Sequence, residues 1–195
     1  MMINNTQTPN FRAKFVASTQ VKKLNTLKNE YEKCAVSFLE FDPANKKDLK
    51  AIKDVSRYWC DSRFGWDIFQ SADTITYGNL DREANKVYIL TKQKNDFDNL
   101  RYDDVLGLAD VETKQNMEGK DYLNLHRLQT NPDFIDKERP MFRYIGTSIL
   151  NILKGFNKII ELNSVSSAID FYEKNGFVDL GTQFLRFRWT PEVKK

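Results

Sequence analysis

Hydrophobic positions fall into short runs divided by polar turns, and along the chain their spacing switches between strand-like alternation and helical periodicity. Residues 35–41, Ala-Val-Ser-Phe-Leu-Glu-Phe, read as a strand. Asp42 and Pro43 then offer a helix N-cap and a first helical position. Leu49, Ile52, Val55 and Trp59 recur on one side of a helix predicted to run to about residue 61. A shorter helix is predicted over 64–76. Strands are predicted over 86–90, 104–111 and 121–130, the last two joined by a tight turn at Gly119. An amphipathic helix over 144–154 is stopped by Gly155. A strand over 158–162, a helix over 167–174 and two strands within 177–189 complete the chain, with a turn near Gly181. The order is β-α-α-β-β-β-α-β-α-β-β, which predicts an α/β (α+β) fold: a mixed sheet with helices on both faces.

The leading segment is less regular. Residues 1–10 are rich in Asn, Thr and Gln and are expected to fray. Residues 11–16 suit a short strand. Residues 21–33 suit a polar helix or an extended arm, with Leu24, Leu27 and Tyr31 at helical spacing. Residues 1–33 are therefore expected to form an N-terminal extension, partly a flexible arm, ahead of a domain over 34–195.

Composition narrows the class. The chain has 195 residues, 41% hydrophobic and 29% charged, enough to bury a core without disulfides or metal. The net charge of +3 comes from 30 basic and 27 acidic residues and gives no reason to expect a nucleic-acid partner. Residues 184–189 interleave arginine with aromatics as nucleic-acid binders do, but the same alternation fits a terminal strand. Cys34 and Cys60 lie outside any CxxC or Cys/His cluster, which points to buried free thiols in a reducing compartment and away from a zinc site. Residues 1–15 lack a signal-peptide core, and no stretch approaches the roughly 20 apolar residues of a membrane span. The expected location is cytoplasmic, with no membrane contact and no metal.

Candidate chemistry concentrates at Arg143-Tyr144-Ile145-Gly146-Thr147-Ser148, a strand-loop-helix junction. A helix N-terminus has unpaired amides and a positive dipole end, and so accommodates an anion such as a pyrophosphate. Gly146 would let a phosphate approach the backbone, Arg143 would add charge, and Thr147 and Ser148 would add hydroxyl donors. Taken by itself, the segment is an ordinary helix start with a small residue for close packing. The chain's only histidine, His126, falls within a predicted strand, where alternation puts it on one face with Leu128 and Thr130, and with Asn124.

The surrounding sequence adds to this. Residues 143–148 resemble the Arg/Gln-x-x-Gly-x-Gly/Ala pyrophosphate loop of the GNAT acyltransferases. Leu128-Gln129-Thr130-Asn131-Pro132 resembles the end of that family's fourth strand. Ala168-Ile169-Asp170-Phe171-Tyr172-Glu173-Lys174-Asn175-Gly176-Phe177 resembles its A-x-x-F-Y-x-K-x-G-F signature. The likeness covers residues 34–190 by element order, with its motifs confined to 121–181. Three features depart from the pattern. Ser148 replaces the usual Gly or Ala, the stretch 132–143 is long, and Val165 stands where many members carry an Asn that contacts the cofactor arm, for which Ser166 or Ser167 would have to compensate.

The resemblance implies a mostly antiparallel sheet with a splayed pair of central strands, and acetyl-CoA as acyl donor. It implies donor contacts from Leu128, Gln129, Thr130, Arg143, Tyr144, Ile145, Gly146, Thr147, Ser148 and Ser167, the strand residues pairing their backbone with the pantetheine arm. Tyr172 takes the role of acid toward the departing thiolate, and His126 that of base or water relay. Asn124 is a secondary polar candidate, and Glu112 and Asp110 are alternative bases. The aromatics Tyr58, Trp59, Phe64, Trp66 and Phe69 would wall the acceptor site. The implied reaction is acetyl transfer to a primary amine, on a small molecule or a peptide, by direct attack in a ternary complex. The alternative is a GNAT-fold binding protein with little or no catalysis. Homodimerisation is compatible with the resemblance.

Overall fold

The structure is a computed structural model and describes residues 13–59, 63–95, 97–134, 138–181 and 183–192. Its elements, in chain order, are strands β1 (Lys14–Asn25) and β2 (Glu30–Glu40), helices α1 (Lys46–Tyr58) and α2 (Arg63–Thr76), and strands β3 (Asn85–Thr91), β4 (Val105–Gln115), β5 (Asp121–Thr130) and β6 (Phe142–Arg143). Helix α3 (Ile145–Gly155), strand β7 (Ile159–Asn163), helix α4 (Ile169–Lys174) and strands β8 (Val178–Asp179) and β9 (Arg186–Trp189) follow. The strands form one sheet in the order β6-β1-β2-β3-β4-β5-β7-β9-β8, in which only β5 and β7 pair in parallel. Among the described residues, no helix is long and apolar enough to cross a membrane.

The helix or extended arm expected over 21–33 is instead a long hairpin. β1 and β2 pair from Lys14↔Glu40 to Asn25↔Glu30, so residue 34 falls inside β2 and not at a boundary. β1 lies near the sheet edge and buries little besides Val21, so no apolar alternation marked it as a strand. Residues 1–12, expected to fray and to begin a short strand, lie outside the described residues, apart from its continuation into β1. Helix α1 starts later than the Asp42-Pro43 pair suggests. Asp42 accepts a hydrogen bond from the Ala44 amide in a turn, and Asn45 is the residue that caps the helix through the Lys47 amide.

Two cores flank the sheet. On one face α1 and α2 cover Leu39, Val87, Ile89 and Leu108, with Ile52, Val55, Trp59 and Ile68 inserted between. On the other, α3 and α4 cover Phe38, Leu90, Ala109, Val111, Leu123 and Leu125. Helix α3 seats tightly because β4 carries Gly107 beneath it. A Cβ at that position would lie 2.9 Å from side-chain carbons of Ile145 and Ile149.

Two irregularities of β5 shape the centre of the sheet. Its pairing with β7 runs from Tyr122↔Ile159 to Leu125↔Leu162 and stops, although β5 continues to Thr130. Beyond β7 the chain turns toward β9, where the Ser164 amide donates to the Leu185 carbonyl at 2.9 Å. The two strands therefore splay apart past Leu125. On its other side β5 carries a bulge: Arg127 pairs with Asp110 and Leu125 with Val111, which leaves His126 without a partner.

Candidate active site

A cavity of about 540 Å³ opens where the splay meets the N-terminus of α3. Thr130, Phe134, Phe142 and residues 143–147 line it, together with Phe171, Lys174 and Asn175. Helix α3 starts abruptly. Tyr144 takes a left-handed conformation at the N-cap (φ 65°) and offers no side-chain cap. The Ser148 amide donates to the Tyr144 carbonyl at 2.9 Å and closes the first turn, so the amides of Ile145, Gly146 and Thr147 precede any intrahelical acceptor. These amides and the helix dipole make the cavity a place for an anion, and Lys174, whose ammonium lies 3.8 Å from Asp170, stands at its wall.

The open edge of β5 borders the same cavity. The Asn131 amide bonds to the Leu106 carbonyl across β4, so strand alternation turns the main chain of Asn131 and Gln129 toward β4. The backbone groups of Leu128 and Thr130 consequently face the splay. The Thr130 carbonyl already accepts the Gln129 side-chain amide at 2.6 Å.

Several residues named from the sequence are placed differently. Ser148 is buried and turned to β1, where its hydroxyl donates to the Gln20 carbonyl at 2.9 Å, because a residue one position past Thr147 rotates onto the sheet side of α3. Gln129 has its backbone committed to β4 and does not offer it to the splay. Ser167 is exposed in a short 3-10 helix over Ser166–Ala168 and is not among the cavity walls. The space left by the missing side chain of Gly146 is taken by Phe171, whose Cζ would lie 2.9 Å from a Cβ there. Arg143 lines the cavity, but its guanidinium stacks on Tyr31 at 4.3 Å and donates to the Glu138 carbonyl at 2.9 Å. Tyr31 in turn donates to the Pro140 carbonyl at 2.7 Å, so the β1–β2 hairpin braces the loop ahead of α3.

The bulge overturns the alternation expected for His126. Its extra residue puts His126 on the face of Asn124 and Glu112, while Leu128 packs into the core on the α3 side and Thr130 approaches Gly146. The His126 Nε2 lies 2.8 Å from Glu112 Oε2. A carboxylate only accepts, so Nε2 carries the proton and Nδ1 is the basic nitrogen. Asn124 approaches the same ring at 3.4 Å. Burial pushes the Glu112 carboxyl up, but hydrogen bonds from Lys114 and His126 outweigh it and hold the group below the ordinary glutamate range. The other candidate base, Asp110, is buried beneath α2 and bonded to Ser71 at 2.7 Å and Arg127 at 3.3 Å.

Tyr172 is buried among Phe171, Phe177 and Phe187. Phe187 pairs with Leu162, the last β7 residue joined to β5, so the Tyr172 ring lies under the point of splay. Burial pushes its phenol up to about 12. Of the aromatic wall, Trp59 and Phe69 belong to the core under α1 and α2, and Tyr58 and Trp66 are exposed. The Phe64 side chain lies outside the described residues, as does Cys60, while Cys34 is a free, half-buried thiol. Residues 186–189 are an ordinary strand: Arg186 and Arg188 face Glu161, and Phe187 fills the opposite core.

No family profile matches this sequence, and no curated protein matches it. Solved structures do. A putative acetyltransferase of the GNAT family from Desulfovibrio desulfuricans superimposes with a TM-score of 0.53 at 12% identity, over 80% of this chain and 98% of the other. The chain has the fold of the GNAT acetyltransferases. A Corynebacterium glutamicum structure described as histone acetyltransferase HPA2 and related acetyltransferase gives 0.50 at 16% identity, over 80% and 97% of the two chains. Arabidopsis thaliana NAA60 in complex with acetyl-CoA gives 0.48 at 12%, over 79% and 97%. Within this GNAT fold the splayed strands are β5 and β7, and the signature helix is α4. Lys174, which sequence reasoning did not assign to the site, stands at the lysine position of the A-x-x-F-Y-x-K-x-G-F motif; Phe134 and Phe142 carried no such signal.

Proposed function

We propose that this protein transfers an acetyl group from acetyl-CoA to a primary amine in a ternary complex. The observation that carries this reading is that the uncapped start of α3 and the unpaired edge of β5 meet at one cavity. The first suits the diphosphate of the donor, and the second suits its amide-bearing arm as an added strand. The fit requires one rearrangement in the chain: the Gln129 side chain must release the Thr130 carbonyl.

In the transfer, the neutral amine attacks the thioester carbonyl, the C–N bond forms and the C–S bond breaks. The amine proton passes to His126 Nδ1, directly or through water, with Glu112 holding the ring and stabilising the imidazolium. The departing thiolate takes the phenolic proton of Tyr172, which burial keeps protonated at neutral pH. Much of the acceleration comes from holding the two reactants in line.

Melting the protein with acetyl-CoA and following thiol release with a panel of amines tests this reading. At a hundredfold excess over Kd, binding contributes about 2.7 kcal/mol, and for a chain of this size that raises Tm by roughly 5–10 °C. Absence of any shift removes the donor assignment; a shift without thiol release from any amine removes the catalysis.

A further inference from the structure

The face that carries α1 and α2 has a second cavity, of about 280 Å³, beside the paired stretch of β5 and β7. Its walls include Lys114, Asn124, Glu161, Asn163, Phe184 and Arg186. Asn124 and Glu161 alternate with Leu125 and Leu162, which pack into the α3-side core, so this cavity and the donor cavity lie on opposite faces of the sheet. Asn124 Nδ2 lies 3.4 Å from His126 Nε2, so the imidazole neighbours a wall residue of the second cavity.

The charges around it are unequal. Both oxygens of Glu161 are occupied: Oε2 by Arg186, and Oε1 by Arg188 at 2.8 Å. Glu112 Oε2 receives His126 and Lys114. Of the wall residues, Lys114 and Arg186 are cationic and Glu161 is anionic, and the Lys114 ammonium gives one of its three donors to Glu112 behind the wall. Asp121 is paired with Lys158, and Asp67 and Asp110 are bonded to Arg127 beside α2; none of them lines the cavity. Among the described residues, the one carboxylate at its walls is Glu161, which Arg186 and Arg188 hold, against the two cations Lys114 and Arg186.

Resting on the acyl-transfer reading above, we infer that the acceptor is an amine that also bears a carboxylate. The carboxylate docks against Lys114 and Arg186, the exposed Phe184 ring covers the carbon skeleton, and the amine is directed toward His126. A polyamine or a lysine-rich peptide would bring further cations against Lys114 and Arg186.

The test compares kcat/KM, followed by thiol release from acetyl-CoA, for glutamate, a peptide with N-terminal glutamate, a neutral arylalkylamine and spermidine. The carboxylated amines are expected to exceed spermidine by at least about tenfold, and the first two separate a free amino acid from a peptide acceptor. Lys114→Gln should cut the glutamate-to-neutral-amine ratio by about tenfold, and Lys114→Glu should reverse the glutamate-to-spermidine preference. Taking ratios cancels any change that Lys114 transmits to His126 through Glu112. Preference for spermidine in the unmodified protein, or ratios indifferent to Lys114, overturns the carboxylate assignment and leaves acyl transfer standing. Thiol release with no amine at all overturns both.

Discussion

Tyr172 packs its ring against Phe171, Phe177 and Phe187, and burial alone accounts for the elevation of its phenol to about 12. A phenol so placed is a weaker acid than a free thiol, which titrates at about 8.5, so on the acyl-transfer reading its proton passes uphill to the thiolate, late in the breaking of the C–S bond. Tyr172→Phe retains the ring and its packing and removes the proton. It is expected to lower kcat by about 10²-fold while leaving acetyl-CoA affinity within about twofold, as read by single-turnover kinetics beside isothermal titration. An unchanged kcat would return Tyr172 to a purely structural role. The motif around residue 172 was legible because a short linear pattern carries it. The surroundings of His126 were not. Simple alternation placed it with Leu128 and Thr130, and one bulged residue, which leaves no mark in composition or hydropathy, moved it to the face of Glu112. The orientation of Ser148 was hidden for a related reason: it depends on how α3 is rotated against the sheet, which the Gly107 contact decides.

At the scale of elements, β7 and β9 are tied across the sheet by Glu161, a mostly buried carboxylate held by Arg186 and Arg188. Burial raises its pKa, but the two arginines outweigh this and leave it below the ordinary glutamate value of 4.5. The unfolded chain therefore binds the proton first on acidification. The stabilisation is complete above the unfolded value and is lost as pH falls through the folded one. Thermal melts should accordingly be flat near neutrality and decline below about pH 4.5, the unperturbed value. Glu161→Gln should lower the plateau and flatten the acid limb; an acid limb of unaltered slope would mean that other carboxylates govern it. Most elements from α1 to α4 were read from the sequence to within a few residues because each shows its own period; the two-residue β6 was not. The hairpin formed by β1 and the first half of β2 was not, since strands with both faces largely exposed have no apolar alternation to display, whereas the buried half of β2, residues 36–39, was read. Its role as a brace for the loop before α3 depends on Tyr31 reaching Pro140 and Arg143, partners more than a hundred residues away in sequence.

For the molecule as a whole, the sheet acts as a partition with a slit in it. The cavity at α3 opens on one face and the cavity at Glu161 on the other, the latter beside the paired stretch of β5 and β7 just short of their separation. If donor and acceptor occupy these two cavities, as proposed above, they do not obstruct each other's entrance, and neither product has to wait for the other to vacate a shared corridor. Initial-rate plots against donor and acceptor should then intersect to the left of the ordinate, not run parallel, and dead-end inhibitors of either reactant should leave the other's binding largely undisturbed. Parallel lines would instead signal a covalent acetyl-protein stage, for which a two-doored chamber offers no need.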